Sequence, residues 1–363
     1  MQTARGGPEY SRHGRAARTQ GLALLLVTVV ALAAGSAAPA ADRPTVKRLS
    51  VFGLGQGIGR VRSRIVHGTL RHFASLPPGA WGGVYTAKSG AHVTIHSSGE
   101  YPVDESVNQA AADFVDSLVH SKEISAVNIY FAPPAEVGVL CDSQEVDGCY
   151  FPATGDLITI GEDTPWSTVE EVVAHEYGHH VANNRLNNPW PAIAYGTKRW
   201  STYEGVCQKE IAGEAFPGDE GKHYLQNPGE SFAESFMHLN EARLGLPETP
   251  WGYDPIFTPD AGALAAIEQD VLKPWKKTPL KFLSGRFSRR GQQKTFTFKT
   301  PLDGVFAAEL HGPRGTTLTV SGPANIKRVS SGLSAALVCG ERSVKARFTA
   351  GGAGRFAAAT VIP

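Results

Sequence analysis

Val172 to Asn184 reads VVAHEYGHHVANN. Its apolar residues Val172, Val173 and Val181, with Val169 just ahead, recur at helical spacing, and Asn183-Asn184 ends the pattern. Two helix starts are available upstream: Thr164 as cap with Pro165 in the first turn, or Ser167 with Glu170 as a capping box. In a helix, His175 and His179 project from one face about a turn apart, so both rings can ligate one metal ion through nitrogen. Glu176 then stands beside the first ligand, placed to take a proton from water and return it to a leaving amine. Gly178, without a side chain, leaves room for another backbone to approach. His180 is turned about 100° from His179 and reads as a supporting or surface histidine. The bland alternative is a histidine-rich, solvated helix face.

A catalytic zinc takes three protein ligands and leaves its fourth position to water. A third histidine on the same segment would need Gly at 182 and His at 185, where Ala182 and Arg185 stand. A downstream aspartate pattern fails too, since Gly196-Thr197 runs into Lys198-Arg199-Trp200. The third ligand is therefore expected on a second helix, which opens at Asn227-Pro228 and stops at Gly245. There Glu230 and Glu234 share one face, while Phe232, Phe236 and Leu239 form the buried set. Carboxylates beside aromatic anchors call for a cation or a donor. Glu230 could instead serve as a capping residue, and Glu234 as a surface carboxylate.

HEYGH at 175–179 together with YLQNPGESFAESF at 224–236 resembles the gluzincin metallopeptidases, in particular the catalytic domain of anthrax lethal factor and its secreted bacterial relatives. The resemblance covers about sixty residues, roughly 170–240. It implies Glu230 as the third zinc ligand, Glu234 as the group that orients a ligand histidine, and Tyr224 as the hydroxyl that stabilises the oxyanion. His223 is the alternative oxyanion donor. E-x-x-x-E stands here where thermolysin-type enzymes have E-x-x-x-D, so that subclass does not fit.

Around these motifs, GGVYTAKSGAHVTIHSSG alternates like a hairpin, DESVNQAAADFVDSLVHS has helical spacing, and AVNIYFA and DLITIG read as strands. DLITIG is either a sheet edge on which a substrate peptide could add, or an interior strand. DAGALAAIEQDVLKPW is a third helix. From 279 to 363 the texture becomes short alternating runs such as KTFTFKT and SVKARFTAG, separated by Gly and Pro. The expected fold class is α+β: a zincin-like domain over 81–278, with a mixed sheet, an active-site helix and a glutamate helix, then a small β-sandwich over 279–363.

At 363 residues, 42% hydrophobic and 19% charged, the chain is long enough for two cores. A net charge of +1 gives no global field to gather nucleic acid or an anionic membrane. Arg5, Arg12, Arg15 and Arg18 precede GLALLLVTVVALAAG and the small-residue stretch SAAPAAD, so residues 1–40 read as a secretory signal peptide. After its cleavage no stable membrane insertion is expected. Residues 41–80 read as a pro-segment or N-terminal extension, in which GLGQGIGR (53–60) fits no nucleotide-binding loop. The four cysteines favour disulfides in an exported chain: Cys141 with Cys149 across a polar loop, and Cys207 with Cys339 by elimination.

The function expected is a secreted zinc endopeptidase, one Zn²⁺ per chain, acting on protein or peptide substrates. A non-catalytic exported metal-containing binding protein, or a zinc amidase acting on cell-wall peptides, would carry the same motifs. The basic run Lys273, Lys276, Lys277, Lys281, Arg286, Arg289 and Arg290 offers either a weak contact with an anionic cell wall or a solvated linker.

Overall fold

A hairpin opens the first sheet: β1 (Trp81–Thr86) pairs antiparallel with β2 (His92–Ser97) across a Lys-Ser-Gly turn. The computed structural model describes residues 60–67, 76–278, 280–321, 329–330 and 332–363. The signal peptide expected over 1–40, and the 41–80 extension apart from 60–67 and 76–80, lie outside the described residues. Helix α1 (Glu105–Ser117) starts where the Asp104 carboxylate accepts from the Ser106 amide, and buries Ala111, Ala112 and Val115. It packs on β1 and β2, and β3 (Asn128–Ala132) follows parallel to β2.

Helix α2 (Pro134–Leu140) leads to β4 (Gly148–Phe151) and β5 (Asp156–Ile160). Among the described residues the sheet order is β1-β2-β3-β5-β4, with β2, β3 and β5 parallel and the two outer strands antiparallel to their neighbours. DLITIG is thus interior. The edge beside it is GCYF, a four-residue strand too short for its alternation to be read from sequence.

Helix α3 (Val169–Asn183) crosses β4 and β5. Its cap is neither of the two expected residues. The Thr168 hydroxyl accepts from the Glu171 amide at 3.3 Å, and the Glu171 carboxylate accepts from the Thr168 amide at 2.8 Å. That reciprocal box satisfies two amides at once, whereas Thr164 closes a preceding turn on Trp166 and Ser167. Three short helices follow in the passage that lacks periodicity: α4 (Ala192–Tyr195), α5 (Lys198–Tyr203) and α6 (Val206–Ala212).

Helix α7 (Pro228–Leu244) is capped by Asn227 and ends at Gly245, whose φ of 67° is the left-handed conformation glycine adopts readily. It packs along α3, and Gly178 permits the approach: a Cβ there would lie 2.9 Å from Ala233 Cα. Both helices are buried on almost every side, which is why their apolar periodicity is weak although their placement is central. Helix α8 (Ala261–Leu272) completes this layer against α5 and α7.

The remaining strands are β6 (Lys281–Phe287), β7 (Gln293–Lys299), β8 (Gly304–His311), β9 (Thr317–Ser321), β10 (Val329–Ser330), β11 (Gly332–Val338), β12 (Ser343–Thr349) and β13 (Gly354–Val361). They form two antiparallel sheets, ordered β10-β9-β12-β7 and β11-β8-β13-β6 among the described residues. Both sheets contribute to one apolar core around Phe287, Phe306, Phe348 and Phe356, separate from the core of the first sheet. The described residues nevertheless make one compact unit. Cys141 is bonded to Cys149, and Cys207 in α6 to Cys339 just beyond β11. The Asp303 amide also donates to Thr202 Oγ1 at 3.1 Å, tying the second sheet pair to α5.

Candidate metal centre

Helices α3 and α7 bring three ligating side chains to one point. His175 Nε2 lies 3.3 Å from Glu230 Oε2, and His179 Nε2 lies 3.4 Å from Glu230 Oε1. One ligand atom from each of the three falls within 4.8 Å of the others, and all three residues are fully buried. Tetrahedral nitrogen and oxygen ligands about 2.0–2.1 Å from a zinc-sized ion stand roughly 3.3 Å apart. The spacing fits a metal ion.

The hydrogen bonding points the same way. His175 Nδ1 is 2.9 Å from Glu234 Oε2, and an ionised carboxylate can only accept, so Nδ1 carries the proton. Its Nε2 then faces a second carboxylate and needs either another proton or a cation. Burial lowers the His175 pKa, but Glu230 and Glu234 outweigh it and raise the ring to about 10. Burial likewise pushes Glu230 upward, yet His179 and His175 together hold its carboxyl well below the usual range.

Glu176 sits beside this cluster, fully buried, and neither carboxylate oxygen has a full hydrogen bond among the described residues. Burial raises its pKa to about 8, with the charge of His175 and the Ser63 side chain pulling the other way. Gly148 in β4 makes room for it: a Cβ there would meet Glu176 Oε1 at 2.9 Å.

The Tyr224 hydroxyl donates to Glu230 Oε2 at 2.9 Å or to the Ser63 carbonyl at 3.0 Å, sharing one proton between them. Tyr253, which no sequence motif marks, lies 3.0 Å from that hydroxyl and 3.3 Å from Glu230 Oε2. Its ring stacks on His175 with centroids 6.2 Å apart. Burial, and then the charge of Glu230 or the neighbouring phenol, raises both phenols well above their ordinary pKa. His223 is engaged elsewhere, with Nδ1 2.9 Å from Asp219 and its ring stacked on Phe216 at 3.8 Å. His180 is a core histidine held between the Tyr150 hydroxyl at 3.0 Å and the Glu123 carbonyl at 2.9 Å.

Glu230 makes no capping bond: Asn227 caps α7 alone, through the Gly229 amide. A second residue without a sequence signal is Ser63, whose Oγ lies 3.5 Å from His179 Nε2. An apolar cavity of about 390 Å³ lined by Phe114, Leu118, Ala174 and Met237 shares no residue with the cluster. Compared with known proteins, the chain matches no family model and no curated protein. The site is a buried His175, His179 and Glu230 group able to hold a metal ion, flanked by two carboxylates, Glu176 and Glu234, and two phenols, Tyr224 and Tyr253.

Proposed function

We propose that this chain is an exported zinc-dependent endopeptidase of the gluzincin type, with a zincin-like domain built from the mixed sheet, α3 and α7. The observation that carries the reading is the convergence of two histidines from one helix and Glu230 from the next, while Glu234 holds the His175 ring in orientation. Two imidazole nitrogens and one carboxylate suit zinc. Zinc bound there would supply Lewis-acid polarisation of a peptide carbonyl and acidification of the attacking water.

The chain's own groups divide the rest of the work. Glu176 accepts the proton of the attacking water and passes it to the leaving nitrogen. Tyr224, protonated across the neutral range, donates to the oxygen on which negative charge develops, and Tyr253 steadies its hydroxyl. Glu234 keeps Nε2 of His175 turned toward the ligand position. Export is supported by the two disulfides, and among the described residues no helix is long and apolar enough to cross a membrane.

The reading predicts about one zinc per chain, with casein digestion that stops on chelation. Glu176→Gln should keep the zinc and lose at least about 10²-fold in hydrolysis, whereas Glu230→Ala should lose the zinc. Full hydrolysis by the Gln variant would rule out this mechanism, and metal loss from Glu234→Ala but not Glu230→Ala would overturn the ligand assignment. The complete burial of the cluster favours a second reading, an exported binding protein with a structural metal. Zinc without turnover in any processed form of the chain would select it.

A further inference from the structure

Beside the cluster runs a piece of chain from the N-terminal extension, Arg60–His67. Its side chains alternate like a strand, with Val61, Ser63 and Ile65 buried and the residues between them partly open. It lies along β4, the sheet edge nearest α3, in parallel register. The Tyr150 amide donates to the Arg64 carbonyl at 3.0 Å, and the Val66 amide to the Tyr150 carbonyl at 2.9 Å. Arg62 grips the buried Asp147 with two bonds, Nη2 to Oδ1 at 2.5 Å and Nε to Oδ2 at 3.1 Å. The middle of the segment falls on the candidate site: Ser63 Oγ approaches His179 Nε2, and the Ser63 carbonyl accepts from Tyr224.

We infer that Arg60–His67 is an intramolecular plug, occupying the groove along β4 in which an extended peptide would be presented to the metal cluster, so that the chain is latent until this strand is cut free and leaves. The inference rests on the metallopeptidase reading for what the groove does, but not for the occlusion itself. The phenol that would meet a substrate's carbonyl oxygen already holds a peptide carbonyl oxygen, and the cluster beneath is sealed from water. Parallel pairing on an edge is the weaker of the two ladder geometries. The strand is held by backbone bonds, among them the Asp147 amide to the Arg62 carbonyl at 2.6 Å, and by the side chains of Arg62, Val61 and Ile65, so another extended chain that supplies the same groups can displace it.

Those anchors also describe the substrate class. Asp147, relieved of Arg62, would be a carboxylate on the groove that has lost its guanidinium partner, and it favours a cation in that place. Val61 and Ile65 fill apolar recesses two positions either side of Ser63. The freed groove therefore takes an extended polypeptide with a basic side chain for Asp147 and apolar side chains flanking the residue over the cluster.

The test uses the full chain with residues 68–75 replaced by the recognition sequence of a site-specific protease, zinc-loaded, compared uncut and cut. Metal loss to a chromogenic chelator and hydrolysis of casein are followed together. Cutting and washing should speed both at least tenfold, and a synthetic peptide of residues 60–67 should restore the block. An uncut chain as fast as the cut one in both assays, or a cut chain freed of the strand with unchanged metal loss, overturns the plug. Faster metal loss without hydrolysis upholds the plug and sinks the peptidase reading. Should the cut chain unfold or retain the strand, Arg62→Glu in the uncut chain sets a carboxylate against Asp147. With unchanged circular dichroism it should release metal faster, and an unaltered rate would overturn the plug.

Discussion

Glu176 is fully buried beside the histidine and glutamate cluster, and that burial has a measurable consequence. Its folded-state pKa, about 8, lies above the ordinary 4.5. Between those values the folded chain holds a proton that the unfolded chain has released, so stability falls as pH rises through that window. The metal-free protein should therefore lose denaturant resistance from pH 5 to 8, and Glu176→Gln should flatten that fall. Equal pH slopes for the two proteins would show that Glu176 is not held in this way. His175 and His179 were legible at this scale because their spacing alone places them on one helix face. Tyr253 was not, because it sits in an irregular passage, GYDP, and joins the site only by packing its ring on His175.

At the scale of elements, the centre depends on how closely α3 and α7 approach. Gly178→Ala would put a methyl group 2.9 Å from the Ala233 backbone, and backbone cannot yield as a flexible side chain can. Overpacking of this kind costs about 1–3 kcal/mol. It should also weaken metal binding, since His175 and His179 stand on the helix that moves. Thr168→Ala, which removes one half of the α3 capping box, should cost about 1 kcal/mol and leave metal affinity nearly unchanged. Urea titration with a zinc-competition assay checks both, and matching losses of affinity would mean that the helix contact does not set the site. Helix α7 could be read from its cap and stop, Asn227 and Gly245, and α3 from its stop at Asn183-Asn184, whereas the cap of α3 is Thr168 and not Thr164 or Ser167. Strand β4 could not, because four residues that begin just where the Cys141–Cys149 loop closes carry no usable period.

At the scale of the whole molecule, Cys207–Cys339 closes 132 residues and joins the helical layer to the second sheet pair, whereas Cys141–Cys149 closes only 8. In the chain-entropy account the long bridge contributes roughly 5 kcal/mol and the short one roughly half that. Removing the long one (Cys207→Ser with Cys339→Ser) should therefore lower the urea midpoint more than removing the short one. The opposite order would show that the strain or residual structure of the unfolded chain dominates. Lys198 in α5 also meets the second sheet pair, near Gly304, and is buried with Nζ donating to the Asn188 carbonyl at 2.8 Å and lying over the Trp275 ring at 4.7 Å. Burial lowers its pKa to about 8, against weaker opposing pulls from Asp303 and Asp270.

Local order was written in the sequence: the helix bearing His175 and His179, the glutamate helix with its cap and stop, the hairpin, and the change to short alternating strands after 279. These follow from periodicity and capping, which act over a few residues and need no knowledge of the rest of the chain. The short loop between Cys141 and Cys149 suggested the first bridge and left the second by elimination; cysteine spacing cannot fix connectivity, and the fold sets it as Cys141–Cys149 and Cys207–Cys339. Long-range packing alone settles which strand forms the sheet edge, that Tyr253 stacks on His175, and that Ser63 lies against Tyr224 across 161 positions of chain. Such contacts arise when long-range burial folds distant segments onto one another, and no local pattern encodes which segment will arrive.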